Sequence, residues 1–239
     1  MLNVEVQLTD LKLLGMARAY QSLSETRQLN ELSLSDGLDL LLQAERDARI
    51  DRRYKRLKKN ASFRYPAIVD QLNYDPSRGL DKSVIASLIT GTYIENGETV
   101  LITGATGCGK SFLATALGNH ACQQGFTVQY QNMQKLMIAT KLARIAATST
   151  KFFDRLANVR LLIVDDFGLA AMDNHQRLDF LEILEDRHGK NATIIASQIP
   201  VASWFDVIGE PTIADAILDR IIHTSHRIEL KGESLRKKM

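Results

Sequence analysis

Apolar residues recur at helical spacing through the first part of the chain: Leu8, Leu11, Leu14 and Leu23, then Leu38, Leu41 and Leu42. Positions three or four apart share one face of an α-helix, so this spacing predicts helices. Residues 1–60 contain no proline, and their glycines are Gly15 and Gly37. Ser33 or Ser35 supplies an N-cap for a long second helix running toward Lys59. No strand pattern interrupts them, so residues 1–60 read as an all-helical N-terminal module. Pro66, Pro76 and Gly79 punctuate residues 61–80, which have linker composition. Tyr65 and Tyr74 within it are placed to dock on a neighbour.

From residue 81 the period changes. Residues 99–103, 127–130, 161–164 and 192–196 are short β-branched or near-continuous apolar runs. Such runs suit strands of a parallel sheet covered on both faces. Helical patterns occupy residues 110–124, 132–146, 175–187 and 212–222. Alternation of strand and helix predicts a three-layer α/β domain over residues 81–239.

Composition changes this picture little. Of 239 residues, 45% are hydrophobic, enough for a real core. Thirty basic residues stand against 28 acidic ones, so local clustering rather than net charge must identify partners. Two cysteines, Cys108 and Cys122, do not make a disulfide framework and fit a reducing cytosol. The N-terminus lacks a basic start followed by an apolar run, and no run of about 18 apolar residues occurs. A soluble cytoplasmic protein is expected.

Residues 104–111 read Gly-Ala-Thr-Gly-Cys-Gly-Lys-Ser and match G-x-x-x-x-G-K-[ST] at every fixed position. Glycines let the backbone curl so that successive N–H groups point at phosphate oxygens. The following helix presents its positive end to the same anion. Gly104, Ala105, Thr106, Gly107, Cys108, Gly109, Lys110, Ser111 and Phe112 are therefore the expected ATP contacts. Lys110 is expected to reach the β- and γ-phosphates, and Ser111 to ligate magnesium. Cys108 fills a variable position.

Residues 161–166, Leu-Leu-Ile-Val-Asp-Asp, bring two carboxylates to the C-terminal end of a strand, where open α/β sheets bind ligands. Asp165 is the expected magnesium ligand, and Asp166 the residue that orients or deprotonates the attacking water. Asp166-Phe167-Gly168 also spells the kinase triplet, but protein kinases do not carry this phosphate loop. Gln198, at the tip of the strand ending in Ser197, is a candidate sensor of the γ-phosphate. Arg220 lies in an Ile- and Leu-rich helical stretch beside Asp215 and Asp219, where an ion pair is the plainer reading. His223 and His226 lack a metal-ligand partner set. Residues 46–59 carry eight basic side chains (Arg46, Arg49, Arg52, Arg53, Lys55, Arg56, Lys58 and Lys59) against Asp47 and Asp51. On a helix they cover more than one face, so part of the cluster must meet solvent or a partner.

Taken together, several segments resemble the IstB family of insertion-sequence transposition helper ATPases, close relatives of the DnaC helicase loaders within the AAA+ class. They are the phosphate loop, Leu-Leu-Ile-Val-Asp-Asp-Phe-Gly, Ala-Ser-Gln-Ile-Pro, and Leu-Asp-Arg-Ile-Ile-His with its later His-Arg-Ile. Leu13-Leu14-Gly15-Met16-Ala17 and Phe63-Arg64-Tyr65-Pro66-Ala67 favour the helper over the loader. The resemblance covers nearly the whole chain. It implies a small helical domain joined to an AAA+ core. So few residues follow the last strand that the usual AAA+ lid domain is expected to be missing. The resemblance also implies an ATP-dependent homo-oligomer that binds double-stranded DNA without strong sequence preference and stimulates a partner transposase. Localisation would be bacterial and nucleoid-associated. By position, Arg220 matches the family's arginine finger, given to the ATP site of a neighbouring subunit, and Arg236 a second sensor. With the resemblance added, Arg52, Arg53, Arg56 and Lys59 become the expected duplex-phosphate contacts. A replicative helicase loader is the alternative. A small-molecule kinase would need an acceptor pocket and an arginine-bearing lid that the sequence does not show.

Overall fold

The structure, a computed structural model, describes residues 4–223 and 225–235. The chain divides into two compact units, residues 1–56 and 57–239.

The first unit is helical, as expected. It holds α1 (Val4–Asp10), α2 (Leu14–Glu25) and most of α3 (Leu34–Ala61). Lys12, at φ 60°, breaks the chain between α1 and α2. Ser33 is the cap of α3: its Oγ accepts the Asp36 N–H at 3.2 Å. Gly15 explains how closely α2 crosses α3, because a Cβ there would lie 2.4 Å from the Ala44 carbonyl oxygen. The same crossing buries Glu45. Its Oε2 accepts the N–H groups of Gly15 at 2.6 Å and Met16 at 3.3 Å, satisfying donors at the start of α2 that no local side chain caps. Its Oε1 accepts from Arg49 at 2.8 Å and Arg52 at 3.0 Å. Burial opposes this charge. Arg49, the two backbone donors and Arg52 outweigh it and hold the Glu45 carboxyl down at about 2. Leu38 and Leu42 stay 47% exposed.

Residues 61–80 pack as part of the second unit. Ala61 and Ala67 are buried, and single 3₁₀ turns form at Val69–Gln71 and Pro76–Arg78. The α/β layer follows: α4 (Lys82–Ile89), α5 (Thr92–Glu95), β1 (Thr99–Gly104), α6 (Lys110–Gln123), β2 (Val128–Asn132), α7 (Met133–Ile145), α8 (Ser149–Asn158), β3 (Leu161–Phe167), α9 (Asn174–Arg187), β4 (Ala192–Ser197), α10 (Trp204–Ile208), α11 (Pro211–Ile222) and β5 (Ser225–Leu230). The sheet is parallel in the order β2-β3-β4-β1-β5. Its two faces are covered differently. Leu101, Leu162, Val164 and Ile195 share one core with α7–α11, while α6 lies on the face of Ile163. The four short or late helices α4, α5, α8 and α10 were not marked by the sequence pattern.

One strand departs from expectation. β3 does not stop at Val164 but runs through Asp165 and Asp166 to Phe167, with a register shift against β4 between Val164 and Phe167. Asp166 takes φ 62° there, the left-handed region that a residue with a Cβ seldom adopts.

Candidate functional site

β1 ends at Gly104 and α6 opens at Lys110, so the phosphate-loop residues form the turn between a buried strand and a helix N-terminus. Gly107 and Gly109 hold φ 82° and 104°. A Cβ on Gly107 would also lie 2.1 Å from Ser234 Oγ. The dihedrals demand glycine at both positions, and at Gly107 the space does too. The loop and the first turn of α6 together offer backbone N–H groups and a positive dipole end to an anion. Lys110 is buried, and its ammonium donates to the carbonyls of Gly104 at 2.7 Å and Ala105 at 2.8 Å, lying across the loop itself. Cys108 is buried, and Phe112 is half-buried in the first turn of α6.

The acidic pair comes to the same sheet edge. Ser111 Oγ donates to Asp165 Oδ1 at 3.0 Å. Asp165 is 1% exposed, and the Tyr130 hydroxyl of β2 donates to its Oδ2. Burial pushes the Tyr130 phenol far up, and its bond to Asp165 adds to this, so it stays a donor. Asp166 Oδ2 accepts from Asn132 Nδ2 at 2.9 Å and stands 4.0 Å from Arg64 Nη1. Burial, and then the charge of Asp165, raise the Asp166 carboxyl above its ordinary value against the pull of Arg64, Asn132 and Lys110. Among the described residues no group of three or more His, Cys, Asp or Glu could hold a metal ion. A serine hydroxyl bonded to a carboxylate is nevertheless a hard oxygen pair. It suits magnesium, which uses one or two protein ligands and completes its shell with phosphate and water.

Gln198 follows β4, and its Oε1 accepts from Thr106 Oγ1 of the loop, so sensor candidate and loop are in contact. Arg220 is elsewhere. Its guanidinium bonds to Glu185 of α9 and to the Ala216 carbonyl at 2.7 Å. The helix α11 feeds β5, whose Ser225 pairs with Thr99 at the opening end of β1, whereas the phosphate loop leaves the closing end. Arg220 is thus not brought to the loop of its own chain. Arg236 lies outside the described residues. Of the basic run, Arg52 shares Glu45 while 42% exposed, and Arg53, Arg56 and Lys59 are exposed.

Four residues of this site carried no separable sequence signal: Tyr130, Asn132, Arg64 and Arg78. Tyr130 and Asn132 stand two apart on β2, hence on one face, beside the acidic strand. Arg78 is buried behind the loop. It donates to the Cys108 carbonyl at 2.7 Å and the Glu233 carbonyl at 2.9 Å, while Leu235 N–H donates to the Gly107 carbonyl at 3.0 Å.

The family described as IstB-like ATP binding protein matches residues 6–239. An insertion sequence ATP-binding protein of Sinorhizobium fredii (strain NBRC 101917 / NGR234) is 42% identical over 231 residues, covering 97% of this chain and 94% of its own. Among solved structures, DnaI superposes with a TM-score of 0.60 at 20% identity, covering 75% of this chain and 98% of its own. The DnaC helicase loader superposes with a TM-score of 0.54 at 19% identity, over 75% and 99%. The strand order and these neighbours make the second unit an AAA+ P-loop fold.

Proposed function

We propose, for a chain that belongs to the IstB-like ATP-binding family, that it hydrolyses magnesium–ATP while assembled as a homo-oligomer on duplex DNA, in the service of a partner transposase. One observation carries the reading: Lys110, Ser111, Asp165 and Asp166 converge at one end of the sheet around a glycine turn. Lys110 neutralises charge on the terminal phosphates once drawn from its loop carbonyls. Ser111 and Asp165 hold magnesium, which would spread the charge developing on the transferred phosphoryl group. Asp166 orients the water and takes its proton; a carboxyl raised above its usual range is better matched to that task. Arg220, remote from its own loop, serves the loop of the next subunit, so that assembly completes the catalytic site. The insertion-sequence relatives support the transposition role, and the exposed basic side chains of α3 support sequence-independent contact with phosphates. Among the described residues no helix is long and apolar enough to cross a membrane.

The test is assembly on plain duplex DNA followed by light scattering or imaging, with magnesium and a slowly hydrolysed ATP analogue. Nucleotide-dependent assembly that weakens steeply between about 50 and 200 mM salt is expected. The combined change of Arg52, Arg53, Arg56 and Lys59 to Ala should flatten that slope. Stable binding to a hexameric helicase with none to duplex would favour the loader instead.

A further inference from the structure

The exit of α3 leads straight into the acidic pair. Ala61 ends the helix and Ser62 turns the chain at φ 57°. Phe63 then meets the Tyr130 ring edge-on, with centroids 6.5 Å apart, and fills space left by Gly118, where a Cβ would lie 2.9 Å from Phe63 Cε1. Tyr130 in turn donates to Asp165. Arg64, the next residue, reaches Asp166 Oδ2 at 4.0 Å. Asn119 of α6 pins the far end of the segment by donating to the Ala67 carbonyl at 2.9 Å. Residues 63–67 are therefore seated on the ATPase sheet at both ends, with the arginine of the segment delivered to one particular oxygen.

That oxygen matters. Asn132 and Arg64 both address Oδ2 of Asp166, and among the described residues Oδ1 accepts no hydrogen bond. The arrangement fixes the carboxylate by one oxygen and keeps the other for a proton. Asp166 also occupies left-handed backbone, a conformation that persists only where the surrounding structure holds it. An exposed arginine at this distance adds little to folding stability. A positional role is the use left to it.

We propose that Arg64 is a positioning residue for Asp166 and that, lying directly beyond the helix that carries the basic run, it ties the rate of hydrolysis to whether that helix holds duplex phosphates. This inference rests on reading Asp166 as the water-activating carboxylate. A displacement of the last turn of α3 large enough to reach Arg64 would take its charge away from Asp166 Oδ2.

The experiment uses the full chain. Affinity for magnesium–ATP, kcat and KM with and without saturating duplex, and melting temperature are measured for the parent, Arg64→Ala and Arg64→Lys. Arg64→Ala should lower kcat about tenfold, a part of what a positioned base supplies, with affinity and melting temperature unchanged. Arg64→Lys should recover most of that loss. Duplex should alter kcat in the parent and leave it unaltered in Arg64→Ala. Parental kcat in Arg64→Ala overturns the positioning role, as does a parallel fall of affinity and melting temperature. An undiminished duplex effect in Arg64→Ala overturns the link to the helix. A parent that binds but never hydrolyses ATP overturns the hydrolytic reading of Asp166 as well, whereas an active parent beside an equally active Arg64→Ala overturns this inference alone.

Discussion

Asp166 concentrates several constraints in one residue: a left-handed backbone, a carboxyl raised by burial and by its neighbour Asp165, and one oxygen that accepts from Asn132 with Arg64 4.0 Å away. Asp165, one position earlier, has both oxygens engaged, by Ser111 and Tyr130. The division of labour follows from the environments: a fully engaged carboxylate suits a metal, a half-engaged one suits a proton. Asp166→Asn should keep magnesium–ATP affinity and lose about 10²–10⁴ in kcat. Single-turnover hydrolysis beside equilibrium binding reads both quantities, and parental turnover in Asp166→Asn would reassign the base. The phosphate loop and the two aspartates were legible in the sequence because their chemistry is written in consecutive residues. Tyr130, Asn132, Arg64 and Arg78 were not, because each reaches the site only through strand register or through the path of residues 61–80. Nor could spacing reveal that the β3 strand passes its bulge and turns Asp166 out of register.

At the scale of elements, α2 and α3 are joined by a device that depends on charge. Gly15 allows the close crossing, and Glu45 caps the start of α2 while pairing with Arg49 and Arg52. The Glu45 carboxyl sits at about 2, below its ordinary 4.5. A depressed carboxyl adds stability that is fully present above its unfolded value and is lost as pH falls through its folded one. Helix content of the parent should therefore decline between pH 4.5 and about 2. In Glu45→Gln this contribution disappears, and the protein should be about 2 kcal/mol less stable at neutral pH, the scale of hydrogen bonds to a charged group. Chemical denaturation followed by circular dichroism at pH 7 and pH 3 checks this; equal stability of the two proteins at pH 7 would show that the cap is idle. Helical periodicity and Ser33 made α3 readable from sequence. Glu45 looked like one more charge on a solvated face, because only the crossing at Gly15 buries it.

For the whole molecule, Leu38, Leu42 and the basic run of α3 are exposed, while Arg220 is bonded to Glu185 away from its own loop. If Arg220 completes the site of a neighbouring copy, Arg220→Ala should bind nucleotide and lose about 10³–10⁵ in kcat. Mixing it with Lys110→Ala should then restore part of the turnover, since the second variant still donates its arginine to an intact loop on the first. No recovery in the mixture, with each variant folded, would confine Arg220 to its pair with Glu185. Long-range order of this kind is invisible to local spacing. The parallel register of β5 on β1, which sets Ser225 beside Thr99 and Leu230 beside Gly104, places Arg220 away from its own loop.

The catalytic proposals presuppose that the turn from Gly104 to Ser111 grips a triphosphate. Equilibrium binding of a fluorescent ATP analogue, with and without magnesium, to the parent and to Lys110→Ala measures that grip. Magnesium-dependent binding by the parent, weakened at least tenfold by loss of the lysine, about 1.4 kcal/mol, is the predicted result. Absent binding in the parent, or equal binding by the two proteins, would contradict it.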